Sequence, residues 1–475
     1  MSILTNHRTH TAQLPGPQPE AASFLRVLKN RNFLRLWIAQ LISLTVLNAA
    51  NFGLILLVQE TTNSVILVSL VIIAFQLPAF PFGAVAGVIV DWLDKRLVLW
   101  VSNVLRMGTM LLMSISVVTD RTNLWPLFVL IFITSLIGQF FTPAEGSSIP
   151  LLVGEQELMP ALALFNITLN VALVVGILLL GGVLATLLPP FTIQLGSFTH
   201  RIDAVDMLFV IAMALYGVCA ILILSIPDSA FQGEHVAEHK SHARMSINEA
   251  ITDIWRDMVE GWNIVRADRQ LYFSVIQLSV TGSILLLLGE LAPSFVQHIL
   301  HRPPAQMAII LSPAGVGLVG ASILMPRITA RIGKVRLALI GVIVLAAGFG
   351  LIPLSQWVAW LLDPVHGSQA PLLLWFSVIL LLFIGVGMAL VNIPAQTIMQ
   401  ERAPDGGRGR VLSLQFMLYN VGSIPVLLFA GVIAQFLGFN RFVLLVALCL
   451  LLFWAWGWWY IKKTSHATRP LVTEE

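Results

Sequence analysis

The sequence predicts an all-α polytopic membrane protein, with about twelve transmembrane helices in two six-helix bundles related as parallel repeats. Three observations predict it: composition, the spacing of apolar runs, and the one-sided placement of basic residues. Of 475 residues, 57% are hydrophobic and 11% charged, against the roughly 25% charge of a soluble globular protein. A mean hydropathy of +0.88 over this length exceeds what one buried core supplies and calls for many segments whose natural solvent is lipid.

A helix crossing the hydrocarbon core needs about 20 mostly apolar residues. Apolar runs between polar or Gly/Pro breaks give spans at 33–58, 64–90, 97–118, 124–142, 161–188, 206–226, 271–297, 306–328, 337–356, 371–393, 411–437 and 441–461. The fourth is the shortest reading, and the fifth and seventh are long enough to tilt. An even number of spans puts both termini on one side. That side then collects 23 of the 27 Lys and Arg residues, leaving Arg121, Arg201, Arg302 and Arg441 on the other. By the positive-inside rule both termini are expected in the cytoplasm, for a multi-pass protein of the cell membrane. Trp454, Trp456, Trp458, Trp459 and Tyr460 before Lys462 read as an aromatic belt at the same interface.

The longest polar stretch follows span six and divides the chain into a tail (1–31), a first bundle (32–226), a linker (227–270), a second bundle (271–461) and a second tail (462–475). Within the linker, Ile247, Ile251, Ile254, Val259, Trp262 and Val265 recur at helical spacing and predict an amphipathic helix on the cytoplasmic surface. The bundles also repeat in sequence. The stretch from Ala161 to Asn170 aligns with that from Val411 to Asn420, carrying Asn170 onto Asn420 and Gly181 onto Gly431, and Pro143-Ala144 corresponds to Pro394-Ala395. Parallel repeats of this kind suit two halves rocking about a midplane site.

After span two the chain reads Gly87-Val-Ile-Val-Asp91-Trp-Leu-Asp94-Lys95-Arg96. This resembles the Gly-x-x-x-Asp-Arg-x-Gly-Arg-Arg signature of the major facilitator superfamily, with Trp92 and Asp94 in place of the usual Arg and Gly. A weaker counterpart, Arg331-Ile-Gly333-Lys334-Val-Arg336, follows span eight. Phe141-Thr-Pro143-Ala144 with Ile149-Pro150, and Pro394-Ala395-Gln396 with Gln400-Glu401-Arg402 and Arg408-Gly409-Arg410, are similar to the efflux branch that includes macrolide and enterobactin exporters. The resemblance implies a brace between the halves on the cytoplasmic side, Asp91 facing the start of span eleven, where a helix dipole favours a carboxylate. Arg96 is expected to hold a carboxylate or backbone carbonyls nearby. Spans one, four, seven and ten are expected to line the cavity.

Ionisable groups at membrane depth are costly and mark function by default. Glu290 in span seven is the clearest, on one helical face with Ser279 and Ser283. It reads either as a carboxyl facing the cavity, where it couples proton entry to export or attracts a cationic substrate, or as an interfacial group meeting outer water. Arg106 in span three reads as a cation that snorkels to the cytoplasmic end. Candidate cavity-lining amides are Asn48 and Asn51 in span one, Gln139 in span four, Gln277 in span seven, and Asn392 and Gln396 in span ten. The alternative for each is an interhelical hydrogen bond. Two departures weigh against proton antiport: span one has no interior acid, and Gly176 to Gly182 lacks the proline of the Gly-Pro-x-x-Gly-Gly element seen in many efflux relatives. Glu145, read as a loop residue, stands where a basic residue is expected.

No phosphate-binding loop, metalloprotease helix or nucleophile elbow is present, so an ATP-driven pump or an enzyme is not expected. No cofactor is expected. Cys219 and Cys449 lie inside apolar runs and offer neither a disulfide framework nor a metal site. His235, His239 and His242 sit in the polar linker and read as solvated rather than metal-binding. The small net charge of +3 and the lack of any motif argue against nucleic acid. The first thirty residues, with Pro15, Pro17 and Pro19, lack the apolar core of a signal peptide. The expected function is proton-coupled export of lipophilic or amphipathic small molecules, the partners being a small-molecule substrate, protons and the bilayer, with the chain a monomer. A lipid or lysolipid translocator on the same fold, or a membrane sensor or scaffold that does not transport, are the alternatives.

Overall fold

Hydrocarbon offers no water to backbone N–H and C=O groups, so each apolar run closes its hydrogen bonds within a helix. The computed structural model describes residues 24–183, 191–195, 198–231, 247–362, 371–404 and 407–465. Eleven helices among the described residues are long and apolar enough to cross a membrane, and a shorter apolar helix, Pro160–Val175, takes the place of the remaining span.

The first half begins with a short helix α1 (Phe24–Lys29), then α2 (Arg31–Thr62). Asn30 caps α2 by accepting from the Asn32 and Phe33 amides at 3.1 and 3.3 Å, and its own side chain donates to the Leu152 carbonyl at 2.7 Å. There follow α3 (Val65–Gln76), α4 (Ala79–Trp92), α5 (Lys95–Thr119), α6 (Trp125–Leu152) and α7 (Glu155–Val175) with a wider-turned continuation Gly176–Val183. A two-stranded antiparallel hairpin, β1 (Phe191–Leu195) and β2 (Phe198–Ile202), precedes α8 (Ala204–Leu224). The hairpin lies between two spans and leaves the all-α membrane architecture unchanged. The linker supplies α9 (Ile247–Ala267). The second half comprises α10 (Arg269–Ser294), α11 (Met307–Ile332), α12 (Lys334–Leu362), α13 (Pro371–Arg402), α14 (Arg408–Leu437) and α15 (Phe439–Ser465).

Three expectations are corrected. Span four is not short: α6 runs on through Pro143 and Pro150 to Leu152, because neighbouring helices tolerate proline inside a membrane helix. Glu145 is therefore a helix residue, not a loop residue. Span two is one candidate span but not an unbroken helix: its hydrogen bonding is interrupted at Leu77–Pro78, between α3 and α4, while the backbone there stays helical. His235, His239 and His242 lie outside the described residues, as do the first twenty-three residues with their prolines.

Packing follows the repeat. In the first half α5 packs on α8 and α4 on α6; the corresponding pairs in the second half, α12 on α15 and α11 on α13, also pack. Between the halves α3 lies against α14, the Gly176–Val183 segment against α11, and α10 against α2 and α3. α9 packs along α14 and touches α4. At the end of α15, Trp456 stacks between Phe453 and Tyr460, with ring centroids 5.5 and 5.4 Å away, and Lys462 lies 4.8 Å from the Trp458 ring.

The crossing of α11 and α13 depends on Gly385. A Cβ there would lie 2.7 Å from the carbonyl carbon and 2.9 Å from the Cα of Ala314, both backbone atoms that cannot swing aside. Gly385→Leu is expected to lose about 1–3 kcal/mol by overpacking. Gly315→Ala, on α11 with open space around it, leaves stability unchanged or raised. Thermal midpoints of the detergent-purified variants, read by size-exclusion of the surviving fraction, check both; equal midpoints would contradict the tight crossing.

Candidate functional site

One buried polar centre sits where the two halves meet. Glu290 on α10 is 0% exposed, and the Ser69 hydroxyl on α3 lies 2.5 Å from its Oε1. The two residues are 221 positions apart and belong to opposite halves. The Ser69 hydroxyl also lies 2.9 Å from the Val65 carbonyl of its own helix. Gly431 on α14 makes this meeting possible: a Cβ there would come 3.1 Å from Glu290 Oε1 and would collide with Ser69 Oγ. Glu290 Oε2 has no hydrogen-bond partner among the described residues, and Leu287 and Leu291 beside it are buried. Glu290 therefore does not meet outer water. Ser279 and Ser283, on the same helix, donate to the carbonyls of Val275 and Ser279 at 2.9 and 3.0 Å.

Two further links cross between the halves at the end of the molecule poor in Lys and Arg. Gln59 Nε2 of α2 donates to Gln297 Oε1 at 2.7 Å, and Gln297 Nε2 donates to Asn63 Oδ1 at 2.6 Å. Deeper in, Gln76 Nε2 of α3 donates to the Tyr419 hydroxyl of α14 at 3.5 Å. Together with Ser69–Glu290 these form a clasp of polar contacts along one end of the seam.

The Lys/Arg-rich end is built differently. Lys95 Nζ donates to the Val90 and Asp91 carbonyls at 2.9 and 3.0 Å, closing the C-terminus of α4. Asp94 caps α5 by accepting from the Leu97 amide at 2.8 Å. Arg96 donates to the Leu224 carbonyl at 2.6 Å and pairs with Asp228. Gly87 has open space where a side chain would stand. Asp91 is exposed, and among the described residues no hydrogen bond or ion pair links its carboxylate to α14. The brace expected of Asp91 is thus not made in this structure. The acids beside the first turn of α14 belong instead to α9: Arg410 Nε donates to Asp257 Oδ1 at 2.8 Å and its Nη1 lies 2.8 Å from Glu260 Oε2.

A second buried centre lies inside the first half. Arg106 on α5 is 2% exposed, so it does not snorkel. Its Nη1 donates to Ser43 Oγ on α2 at 2.9 Å, and its guanidinium carbon lies 5.0 Å from the Phe141 ring and 5.8 Å from the Tyr216 ring. Gly138 leaves it room, since a Cβ there would come 2.7 Å from Nη2. Glu145 of α6, also 2% exposed, lies in the same half; no ion pair joins it to Arg106 among the described residues, and its Oε1 has no partner there. Packing against the aromatic faces and Ser43 holds Arg106 in place, where distance along its own helix alone would let it reach the surface.

The candidate amides separate into groups. Gln277 is 0% exposed and donates to the Ala338 carbonyl of α12 at 3.2 Å, an interhelical bond within the second half rather than a cavity contact. Asn48 and Asn420 donate to the carbonyls of Leu44 and Phe416 on their own helices, each at 2.8 Å. Asn51 Oδ1 is buried without a partner among the described residues. Gln139 donates to the Ser135 carbonyl at 3.4 Å and its Oε1 faces Gly83 of α4. Asn392 is half-buried and Gln396 exposed on α13. Asn170 lies in α7, its side chain outside the described set.

Sequence reasoning found Glu290 but not Ser69, Gly431, Gln59, Gln297 or Tyr419, whose importance comes from contacts across the halves. A serine among valines and leucines carries no signal of its own.

Comparisons with known proteins agree with this architecture. The family model described as Major Facilitator Superfamily matches residues 36–427. The chain is 25% identical over 407 residues to an uncharacterized MFS-type transporter, YfiS, of Bacillus subtilis, covering 86% of this chain and 87% of that protein. It is 27% identical to macrolide efflux protein A of Streptococcus pyogenes over 126 residues, 26% of this chain and 31% of that protein. Over 84 residues, 18% of this chain and 15% of that protein, it is 32% identical to a multidrug resistance protein B homolog of Mycobacterium tuberculosis. Among solved structures, the nucleoside transporter NupG superposes with a TM-score of 0.68 at 13% identity, over 91% of this chain and 99% of that one. A peptide transporter POT superposes with a TM-score of 0.63 at 9% identity, over 93% and 98%. At these identities the structural likeness speaks to fold.

Arg106 is a buried charge held by the Ser43 hydroxyl and two aromatic faces, and a hydrogen bond to a charged group is worth about 1.5–3 kcal/mol. Ser43→Ala is expected to lower the thermal midpoint, and Arg106→Met to lower it by less when residue 43 is already alanine. A double-mutant cycle on detergent-purified protein measures the coupling; additive losses would mean that the two groups do not sense each other.

Proposed function

Because this chain belongs to the Major Facilitator Superfamily, we propose that it is a proton-coupled exporter of lipophilic or amphipathic small molecules, working by alternating access. The observation that carries the proposal is Glu290, fully buried and hydrogen-bonded to Ser69 of the opposite half. With the Lys/Arg-rich end in the cytoplasm, this contact belongs to an outer gate, drawn here in its closed form with the links from Gln59 through Gln297 to Asn63.

Hydrogen-bond bookkeeping ties the gate to a proton. Ser69 has one hydroxyl proton and two acceptors within reach, the Val65 carbonyl at 2.9 Å and Glu290 Oε1 at 2.5 Å. A neutral Glu290 donating to Ser69 frees that hydroxyl to serve Val65, so every short contact is satisfied. An ionised Glu290 leaves one acceptor unserved and a charge in an apolar seam, at a cost of several kcal/mol. Closing the outer gate is therefore linked to a proton carried on Glu290, and opening exposes the carboxyl to outer water. Release of that proton toward the cytoplasm and outward passage of substrate complete an exchange cycle.

At the other end, Asp91 stands exposed, with no hydrogen bond or ion pair to α14 among the described residues. In the state closed to the cytoplasm it swings toward the positive N-terminus of α14, near Arg410. Few charges face the seam, and the amides Asn51 and Gln139 are scattered among apolar side chains, which suits lipophilic cargo better than sugars or polyanions. The partial likeness to a macrolide efflux protein and a multidrug resistance homolog supports the direction and the substrate class.

Accumulation of lipophilic dyes and antibiotics in drug-sensitive cells tests the proposal. Wild type is expected to lower accumulation, and an uncoupler to abolish the effect. Glu290→Gln, which keeps the neutral shape, is expected to lose concentrative export by at least about tenfold, one carboxyl-based coupling step being worth more than 1.4 kcal/mol. Undiminished uncoupler-sensitive export by the variant would overturn the role of Glu290. A full panel left untouched by membrane-inserted wild type would redirect the search for cargo to lipids. Asp91→Asn is expected to slow export of the same dyes at unchanged expression, and normal rates would remove it from the gating cycle.

A further inference from the structure

A cavity lies within the second half at the Lys/Arg-rich end. It is a groove of about 870 Å³ between the ends of α11 and α13, the turn at Gly333 and the start of α12. Its lining changes character with depth. At the rim stand Lys334, Arg336 and Arg402, with Glu401. Met325 on α11 and Ile393 on α13 lie deeper, Ile393 nine residues along its helix from Arg402, which is about 14 Å at 1.5 Å per residue, with Ser322, Thr329 and Thr397 beside them.

The rim is unevenly satisfied. Lys334 pairs with Glu401, and Arg402 Nη1 lies 3.0 Å from Asp268 Oδ2. Arg336 is exposed and has no hydrogen bond or ion pair among the described residues. Three cations and one carboxylate give the groove lining a net charge of +2. Basic residues on this face set membrane orientation wherever they stand, but orientation needs neither a cavity nor an apolar floor. Here both accompany a guanidinium whose five N–H donors are uncommitted.

We propose that this groove binds an anionic phospholipid of the leaflet at the Lys/Arg-rich face, its phosphate held by Arg336 with Lys334 and its upper acyl chain lying over Met325 and Ile393. Charge complementarity selects the headgroup: a guanidinium fork matches phosphate oxygens in bidentate fashion. The graded lining selects a molecule with an apolar stem, since a soluble phosphate leaves the inner wall uncovered. Basic pockets between membrane helices at this level are the places where headgroups settle. The site stands on α11, α12 and α13 and uses no residue of the Ser69–Glu290 gate, so it is independent of the identity of the exported substrate.

Native mass spectrometry of the full-length protein released from detergent tests the assignment. Phosphatidylglycerol, phosphatidylcholine and inorganic phosphate are offered separately at equal concentration. Phosphatidylglycerol adducts are expected to dominate those of phosphatidylcholine. Arg336→Gln is expected to weaken phosphatidylglycerol retention about fivefold, the value of one basic residue near an anionic lipid surface. Arg327→Gln, an exposed cation of the same face outside the groove, is expected to leave retention unchanged. Monodispersity and thermal midpoint confirm that both variants fold. Equal retention of the two lipids, equal loss in both variants, or displacement of phosphatidylglycerol by inorganic phosphate at matched concentration would each overturn the proposal.

Discussion

The contact between Ser69 and Glu290 depends on a constraint that governs the whole molecule: inside hydrocarbon, a polar group without a partner is expensive. The backbone meets the constraint locally, by helix formation. Side chains meet it only by finding one another across helices. Glu290 has no partner on its own helix, so its single short contact comes from the opposite half. The contact thereby joins α3 to α10 across the halves, and in the proposed cycle the state of that one carboxyl sets the angle between them. The absence of a side chain at Gly431 completes the arrangement, because even a methyl group there would hold the three helices apart.

The two buried ionisable centres differ in what surrounds them. Arg106 and Glu145 lie within one half, and the guanidinium is held by Ser43, Phe141 and Tyr216 from three other helices. Nothing in a rocking motion of the halves pulls those helices apart, so this centre stiffens a rigid body. Glu290 lies between the halves, where in the proposed cycle that motion makes and breaks its contact. Equal burial therefore leads to opposite roles, and the topology of the partners decides which is which.

The membrane architecture was largely legible in the sequence because hydropathy and the distribution of basic residues are local signals. Errors arose where locality failed. Pro143 reads as a break only if a helix stands alone; packed among neighbours, α6 continues through it and carries Glu145 into the interior. Arg106 was read by its distance from the helix end, which ignores the aromatic faces that trap it. Asp91 was read with α14 as its partner through a family resemblance, yet Arg410 at that helix start is engaged by Asp257 and Glu260 of the linker helix. Glu290 was legible as an acid in an apolar run, while Ser69, a small hydroxyl residue in another such run, became meaningful only when the fold brought the two together.

The linker helix α9 bears on how the halves move. It packs along α14 through Val265 and the Arg410 pairs, and it also touches α4 of the other half. An ion pair at an exposed site is worth little by itself, about 0–1 kcal/mol, and two of them on one arginine remain a modest restraint. The clasp at the other end, by contrast, buries the Glu290 carboxyl and the Gln59 amide. In the proposed cycle, closing the Lys/Arg-rich end brings Asp91 of α4 onto the start of α14, where α9 now lies beside both helices. Asp91 then competes for the same helix start that Asp257 and Glu260 occupy, so the weak pairs made by α9 are the ones suited to being exchanged. A restraint that must yield on every cycle is better built from exposed pairs than from buried ones, and the structure places its exposed pairs at that end.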